Sequence, residues 1–419
     1  MQSHYGWHPF LKTTDKLIIP LQRNCPVCGH GKGELIHCQR FALMERHPLA
    51  RGYEVVCCER CGIGFANTAV TQAEYDNFYA DESKYADPST STGSGFSARD
   101  LVRLRETAKM IEKLTQDQDE LIVDLGCAGG GLLLELKKLG FQNLKGIDPS
   151  AACVREAQRL TDLEILKGSF PELRRWTGSV GGVILSHVLE HVRDFQCVFS
   201  VLQANLKAAG WLYIEVPDAS RYQAYLSAAY QDFNTEHINH FSPQSLRNLL
   251  GSFGYVVFQE GQKVIETGPS VEYPAIFCFA QKEADVPPLV SDIDLKYQLR
   301  DYVAKSEALM SKLRESLSRI LENVPQVLIW GTGQLTLKLM LEPVFRKVEI
   351  VAFVDSNPVH QGRQKMGKPV LSPGQLQSYP YPILVSSLVN EAPILQTIEH
   401  LRLPNRIYTL KSGLEGLSI

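Results

Sequence analysis

No run in this 419-residue sequence is apolar for long enough to cross a membrane. It also lacks a charge excess. Its 43 Lys and Arg against 46 Asp and Glu leave a net charge of −3, so no basic footprint predicts nucleic acid or an anionic membrane as partner. Met1–Lys16 holds no apolar core of the kind an export signal needs, which makes the cytoplasm the expected location. No tandem repeat of short period occurs. Cysteine is sparse beyond residue 61: Cys127, Cys153, Cys197 and Cys278 are scattered through apolar surroundings and are expected as small buried hydrophobes rather than as a disulfide framework. What remains is a chain with a hydrophobic fraction of 44%, enough for well-formed cores, and a length that calls for two or three domains.

The remaining cysteines crowd one end. Cys25-Pro26-Val27-Cys28-Gly29 and Cys58-Glu59-Arg60-Cys61-Gly62 are two CxxC knuckles about thirty residues apart. Each turn aims two thiolates at one point, and the glycine that follows permits a tight return. Four thiolates make a closed tetrahedral site, structural rather than catalytic, so Cys25, Cys28, Cys58 and Cys61 are expected to hold Zn2+. Cys57 has the wrong spacing to Cys61; Cys38, His30 and His37 are the rival ligands. Residues 1–75 form this zinc-binding module.

A Ser-, Thr- and Gly-rich stretch, Asp87–Ser97, follows and is expected as a loop. From about Arg99 a helical pattern leads to Leu121–Ser150, an apolar run, an acid, a glycine-rich turn, a helix, a second apolar run and a second acid. Further strands are expected at Leu163–Leu166, Gly182–Ser186 and Trp211–Val216, with a helix over Val192–Lys207. Alternation of this kind implies a parallel sheet covered on both faces. Pro243–Phe253 is an expected helix capped by Ser242. Tyr255–Gln259 and Ala275–Gln281 leave no room for a crossover and predict a closing antiparallel pair. Ala284–Asp294 is a domain boundary by its prolines and acids, Leu295–Asn323 a long polar helix, and Val327 opens a second α/β pattern.

The position of the first acid separates the nucleotide cofactors. A dinucleotide fingerprint puts its acid about 20 residues after the glycines. Here Asp124 stands immediately before Gly126-Cys127-Ala128-Gly129-Gly130, and a second acid, Asp148, ends the next strand. This resembles the first motif of class I S-adenosylmethionine-dependent methyltransferases, with Ala128 at its middle glycine. The run Ser186-His187-Val188-Leu189-Glu190-His191 is similar to the family's segment after the fourth strand, and the closing hairpin suits that fold. The resemblance implies that Gly126, Ala128 and Gly130 let the backbone approach the cofactor. Asp124 would support the loop and the amino group, Asp148 would accept from the ribose hydroxyls, Ser169 and Phe170 would flank adenine, and His187 would lie at the same site.

Transfer to a hydroxyl or a carbon acid needs a base beside the acceptor. The candidates are His191 and the cluster Asn234-Thr235-Glu236-His237-Ile238-Asn239-His240-Phe241. The whole layout resembles the three-domain zinc-containing C-methyltransferases of nucleotide-linked ketodeoxysugars, in which a base-generated enolate takes the methyl group. That resemblance implies catalytic roles for His191, Glu236 and His237 and for a tyrosine from the N-terminal part, Tyr85 as the first match and Tyr79 as the second. The sugar enzymes carry a tyrosine where this chain has Asn234. An O- or N-methyltransferase of a polysaccharide or natural-product pathway, and a non-catalytic protein that binds S-adenosylmethionine or NAD, are the alternatives.

The C-terminal segment repeats the strand, glycine turn and acid in Val327–Gly331-Thr332-Gly333 and Asp355, without a third glycine; a nucleotide-sugar contact or a purely structural unit is expected there, not an intact NAD site. The expected fold is α/β: a zinc-binding module over 1–75, a Rossmann-like methyltransferase core over 76–283 and a second Rossmann-like domain over 284–419. A small-molecule acceptor, most simply a nucleotide-sugar, is the expected partner.

Overall fold

The computed structural model describes residues 16–81, 94–95, 97–115, 117–268, 271–412 and 414. Tyr85 lies outside the described residues. The N-terminal strands β1 (Ile18–Pro20), β2 (Lys32–Arg40), β3 (Gly52–Cys58) and β4 (Gly64–Asn67) form an antiparallel meander, and helix α1 (Gln72–Asp81) leaves it. The two cysteine knuckles are the turns before β2 and after β3, closed by Gly29 N–H to Cys25 carbonyl and Gly62 N–H to Cys58 carbonyl bonds.

Helix α2 (Ala98–Leu114), capped by Ser97, precedes the central sheet. Strand β5 (Ile122–Leu125), helix α3 (Gly131–Lys138), β6 (Leu144–Asp148), α4 (Ala151–Thr161), β7 (Glu164–Lys167), β8 (Val180–Ser186), α5 (Phe195–Asn205) and β9 (Leu206–Pro217) follow in turn. After a two-residue strand β10 (Asn239–His240) and helix α6 (Pro243–Ser252) come the hairpin strands β11 (Tyr255–Gly268) and β12 (Val271–Lys282). The sheet order is β11-β12-β9-β8-β5-β6-β7, parallel except for the hairpin. Helix α5 begins at Phe195 rather than Val192. Asp194 caps it by accepting from the Cys197 N–H, and Leu189–His191 is instead a short 3-10 turn. The hairpin is longer than its apolar pattern suggested because the polar run after Gln259 is an exposed edge strand.

A 26-residue helix α7 (Leu295–Ile320) leads to β13 (Gln326–Trp330), α8 (Gln334–Leu339), β14 (Glu349–Val354), β15 (Gln364–Lys365), β16 (Lys368–Leu371), β17 (Ile383–Val385), α9 (Glu391–His400) and β18 (Ile407–Thr409). Here the order is β15-β16-β14-β13-β17-β18, parallel except for β15.

The three segments share their cores. One face of the N-terminal sheet, with Val56, Phe65 and the knuckle cysteines, packs with Leu185, Phe195 and Phe241 of the central unit. The other face, with Val55, Cys57 and Ala66, packs with Leu299 and Tyr302 of α7 in a core that continues to Val327 and Leu337. Alternation along β3 therefore sends Cys57 and Cys58 to opposite cores. Strand β10 joins the N-terminal sheet beside β4, pairing Asn239 with Phe65 and His240 with Gly64. Among the described residues no helix is long and apolar enough to cross a membrane.

Candidate active site

The carboxyl ends of β5, β6 and β8 open into a cleft of about 1030 Å³ whose far wall belongs to the C-terminal unit. Gly126 and Ala128 line it, both left-handed at φ 81° and 48°. A left-handed conformation costs Ala128 strain that a glycine would avoid. The Ala128 N–H donates to Asp148 Oδ2 at 2.9 Å and the Ser150 N–H to Asp148 Oδ1 at 2.8 Å, so one carboxylate ties the turn to the start of α4. Burial lifts Asp148 to about 6; it lifts Asp124 to about 7, with the Asp148 charge adding to it and Arg103 opposing it.

Not every residue expected to touch the cofactor lines the cleft. Gly126, Ala128, Asp148, Ser169, Phe170 and His187 do. Asp124 lies buried behind the turn in β5, and Gly130 caps α3 with a φ of 79°. A Cβ on Gly130 would stand 3.0 Å from that of Ala157, so the packing of α4 against this turn calls for glycine here. Ser169 and Glu172 form a capping box under Phe170.

His187 is gripped between two carboxylates, Nδ1 at 3.2 Å from Glu190 and Nε2 at 3.1 Å from Glu215. Burial lowers its basicity, but the two acids overrule it and its pKa is raised. Glu215, near the carboxyl end of β9, also meets Lys263 Nζ at 2.5 Å and Arg103 at 3.6 Å. Burial pushes Glu215 up; Lys263, His187 and Arg103 together hold it well below the usual carboxylate range.

His191, Glu236 and His237 come together across the cleft. The rings of His191 and His237 meet edge to face with centroids 4.9 Å apart. Tyr79, on α1, brings its hydroxyl to 2.7 Å from His191 Nδ1 and 3.2 Å from the Glu236 carbonyl, to which His191 Nδ1 also lies at 3.0 Å. Asn234 shapes the loop locally. Its Oδ1 accepts from the N–H groups of both Glu236 and His237 at 2.8 Å.

The loop carrying these groups is anchored from three directions. From the N-terminal module, Tyr53 donates to the Asn234 carbonyl at 2.7 Å and buried Arg23 donates to Asn239 Oδ1 at 2.6 Å. From the core, the Ile238 N–H donates to the Glu190 carbonyl and Asn239 Nδ2 to the carbonyls of Leu189 and Val192. From the C-terminal unit, Gln334 donates to Thr235 Oγ1 at 2.8 Å and accepts from its N–H at 3.2 Å.

Asp232, Glu215, Arg103, Lys263 and Gln334 are not singled out by any sequence motif. Asp232 lines the cleft, takes the Tyr273 hydroxyl at 2.7 Å, and is lifted by burial to about 6. Glu215 alone carries a signal, as the one acid inside the apolar strand Trp211–Val216. At the second glycine turn the chain satisfies its own groups: Thr332 donates N–H and Oγ1–H to Asp355, His360 stands 3.2 Å from the same carboxylate, and Lys365 donates to the Thr332 carbonyl at 2.5 Å.

Cys25, Cys28, Cys58 and Cys61 form one cluster with Sγ–Sγ distances of 3.4 Å for Cys25–Cys61 and 3.5 Å for Cys28–Cys58. A tetrahedral ion with metal–sulfur bonds of about 2.3 Å separates its ligands by about 3.8 Å, so a few tenths of an ångström of expansion fits zinc. Cys57, Cys38, His30 and His37 are not in the cluster.

Residues 98–260 match a family model described as a methyltransferase domain, and residues 323–407 one described as C2185-like, N-terminal. A trans-aconitate 2-methyltransferase from Klebsiella pneumoniae (strain 342) is 29% identical over 123 residues, 28% of this chain and 47% of the relative. The chain thus spans about half the length of that curated relative. Among solved structures, a SAM-dependent methyltransferase from Methanosarcina mazei is 20% identical, with 42% of this chain and 98% of that chain covered and a TM-score of 0.36. Magnesium protoporphyrin IX methyltransferase from Synechocystis PCC 6803 with bound SAH is 18% identical, with 44% and 83% covered and a TM-score of 0.34. With its family match and its strand order, the segment from 98 to 260 has the fold of a class I S-adenosylmethionine-dependent methyltransferase domain.

Proposed function

We propose that the protein is an S-adenosylmethionine-dependent methyltransferase acting on a small molecule held between the glycine turn and the C-terminal unit. The observation that carries this reading is the single cleft: Gly126, Ala128 and Asp148 line one side, His191, Glu236 and His237 the other. The cofactor supplies an electrophilic methyl group on a sulfonium. Asp148 would accept from its ribose hydroxyls, the Gly126–Ala128 backbone would admit its amino-acid part, and Phe170 would cover the adenine. His191, His237 and Glu236 supply the basic atoms that take the acceptor's proton, and Tyr79 and the Glu236 carbonyl orient His191. Cys25, Cys28, Cys58 and Cys61 hold a structural zinc ion.

The finer reading is C-methylation of a nucleotide-linked ketodeoxysugar through an enolate. It is supported by the resemblance in three-part layout and by a cleft of about 1030 Å³ that Arg363 lines at its C-terminal end, where a guanidinium suits a diphosphate. Asn234 in place of the family's tyrosine favours the second reading, an O- or N-methyltransferase with a different small acceptor. Incubation with labelled S-adenosylmethionine and a panel of nucleotide-sugars separates them. Label on carbon, with solvent deuterium entering beside the ketone, supports the first; label only on another acceptor sinks it. His237→Ala is expected to abolish turnover and leave S-adenosylhomocysteine affinity unchanged by calorimetry. NAD binding without S-adenosylhomocysteine binding would point instead to a non-catalytic protein.

A further inference from the structure

Glu190, His191 and His237 bring three donor atoms to one corner of the cleft, all within 4.8 Å of one another. The turn after β8 delivers the first two and the loop before β10 the third. Glu190 is 1% exposed. Its Oε1 faces His187 Nδ1 at 3.2 Å and His191 Nε2 at 3.8 Å, while its Oε2 has no hydrogen-bond partner among the described residues. A buried carboxylate oxygen left in that condition costs free energy and calls for a reason.

The environment of His191 points the same way. Its Nδ1 lies 3.0 Å from the Glu236 carbonyl and 2.7 Å from the Tyr79 oxygen, and the Tyr79 hydroxyl reaches the same carbonyl at 3.2 Å. One proton arrangement satisfies all three contacts: Nδ1–H shared between the carbonyl and the tyrosine oxygen, and the tyrosine O–H donated to the carbonyl. In that tautomer Nε2, 3.8 Å from Glu190 Oε1, carries no proton. An imidazole that donates its other N–H to a backbone carbonyl is in the tautomer of a metal ligand.

We propose that Glu190, His191 and His237 bind a divalent first-row transition-metal ion on the floor of the acceptor pocket, separate from the four-cysteine site. Two imidazoles and one carboxylate suit zinc, cobalt, nickel, iron or manganese, not the all-oxygen preference of calcium and magnesium. Three protein ligands leave open positions, as catalytic sites do. Ligands about 2.1 Å from one ion stand about 3–3.5 Å apart, so the 3.8 Å between His191 and Glu190 closes by side-chain rotation. If the methyltransferase reading holds, on which this role rests, an open position would hold an acceptor oxygen and make its proton easier to remove; His191 and His237 then serve as ligands and Glu236 is the base that takes the proton.

The full chain, its cysteine site filled with zinc, is titrated with cobalt(II), and metals are counted by plasma mass spectrometry after dialysis. The expected result is one cobalt per chain beyond the zinc, without thiolate-to-cobalt charge-transfer absorption. Glu190→Gln and His237→Asn each weaken cobalt binding at least tenfold and keep the zinc. No cobalt beyond the zinc overturns the proposal, as does cobalt absorbing through thiolate or binding unchanged in both variants. S-adenosylhomocysteine calorimetry is read separately. Cobalt without S-adenosylhomocysteine binding sinks the methyltransferase reading and leaves the metal site standing; the reverse overturns the metal site alone.

Discussion

Replacing Asp148 by Asn tests the cofactor site and its supporting turn at once. Each carboxylate oxygen takes one backbone N–H, from Ala128 at 2.9 Å and from Ser150 at 2.8 Å, and the side chain is 7% exposed. An amide offers one oxygen, so one N–H would face an NH2 group. Leaving a buried donor unsatisfied costs about 1–3 kcal/mol, which sets the expected loss in unfolding free energy by urea titration. Under the proposed function, charge-assisted bonds from Asp148 to ribose hydroxyls would be worth about 1.5–3 kcal/mol, or about 10- to 150-fold in dissociation constant for S-adenosylhomocysteine. Acid has the same effect on binding. With Asp148 lifted to about 6 and Asp124 to about 7, affinity falls as pH drops through that range. Stability of the ligand-free protein runs the other way. Both folded values are raised, so their contribution is full below the ordinary carboxylate pKa and is lost as pH rises through about 6 and about 7. Isothermal calorimetry at pH 8 and pH 5.5 with both proteins reads these effects. An Asn variant that binds within threefold of the parent and unfolds at the same urea concentration refutes the reasoning.

Glu215→Gln leaves Lys263, Arg103 and His187 without their shared counter-charge and is expected to cost about 3–5 kcal/mol in urea unfolding; a loss under 1 kcal/mol would mean that water reaches the cluster. Because the folded pKa of Glu215 is depressed, its contribution is present above the ordinary glutamate value of 4.5 and is lost as pH falls below it, which acid titration of the parent and the variant compares. Cys58→Ser is expected to release the metal and lower the melting temperature, since β4 carries β10; retention of one zinc per chain would remove the four-thiolate assignment. Gly29 and Gly62 follow equivalent cysteines at φ 70° and 81°, but a Cβ at 29 meets open space and one at 62 meets the Asp292 carbonyl oxygen at 2.0 Å. Gly29→Ala should therefore cost about 1–2 kcal/mol and Gly62→Ala clearly more, and equal melting temperatures for the two variants would contradict this.

The parts legible in the sequence are those encoded over short distances. Asp124, the glycine turn and Asp148 lie within one strand–helix–strand unit, and Ser150 and Ser242 cap helices that start at the next residue. The CxxC spacing locates a knuckle, and strand alternation separates Cys58 from Cys57. Boundaries slipped where a side chain intervened, as Asp194 did at α5. The tyrosine beside His191 illustrates the limit. Tyr79 and Tyr85 are nearly equivalent in sequence, and the contact of Tyr79 depends on where α1 lies against the central unit. Asp232, Lys263 and Arg103 were invisible for the same reason. Each is an ordinary polar residue until a partner far along the chain arrives.

That long-range dependence also gives the flanking segments a reason to accompany the central unit. The Glu236-His237 loop has little secondary structure of its own beyond the two residues of β10, and every hydrogen bond of a free loop would be open to water. Here Arg23 and Tyr53 hold it from the N-terminal module, Glu190, Leu189 and Val192 carbonyls from the core, and Gln334 from the far side. A general base needs its position fixed to within about 0.5 Å to be effective, and a lone loop on the sheet edge cannot supply that. The N-terminal module and the C-terminal unit are thus positioning devices for the same few atoms. Gln334→Ala, far from the loop in sequence, should lower kcat with little change in S-adenosylhomocysteine affinity; an unchanged kcat would mean that the other anchors hold the loop without it.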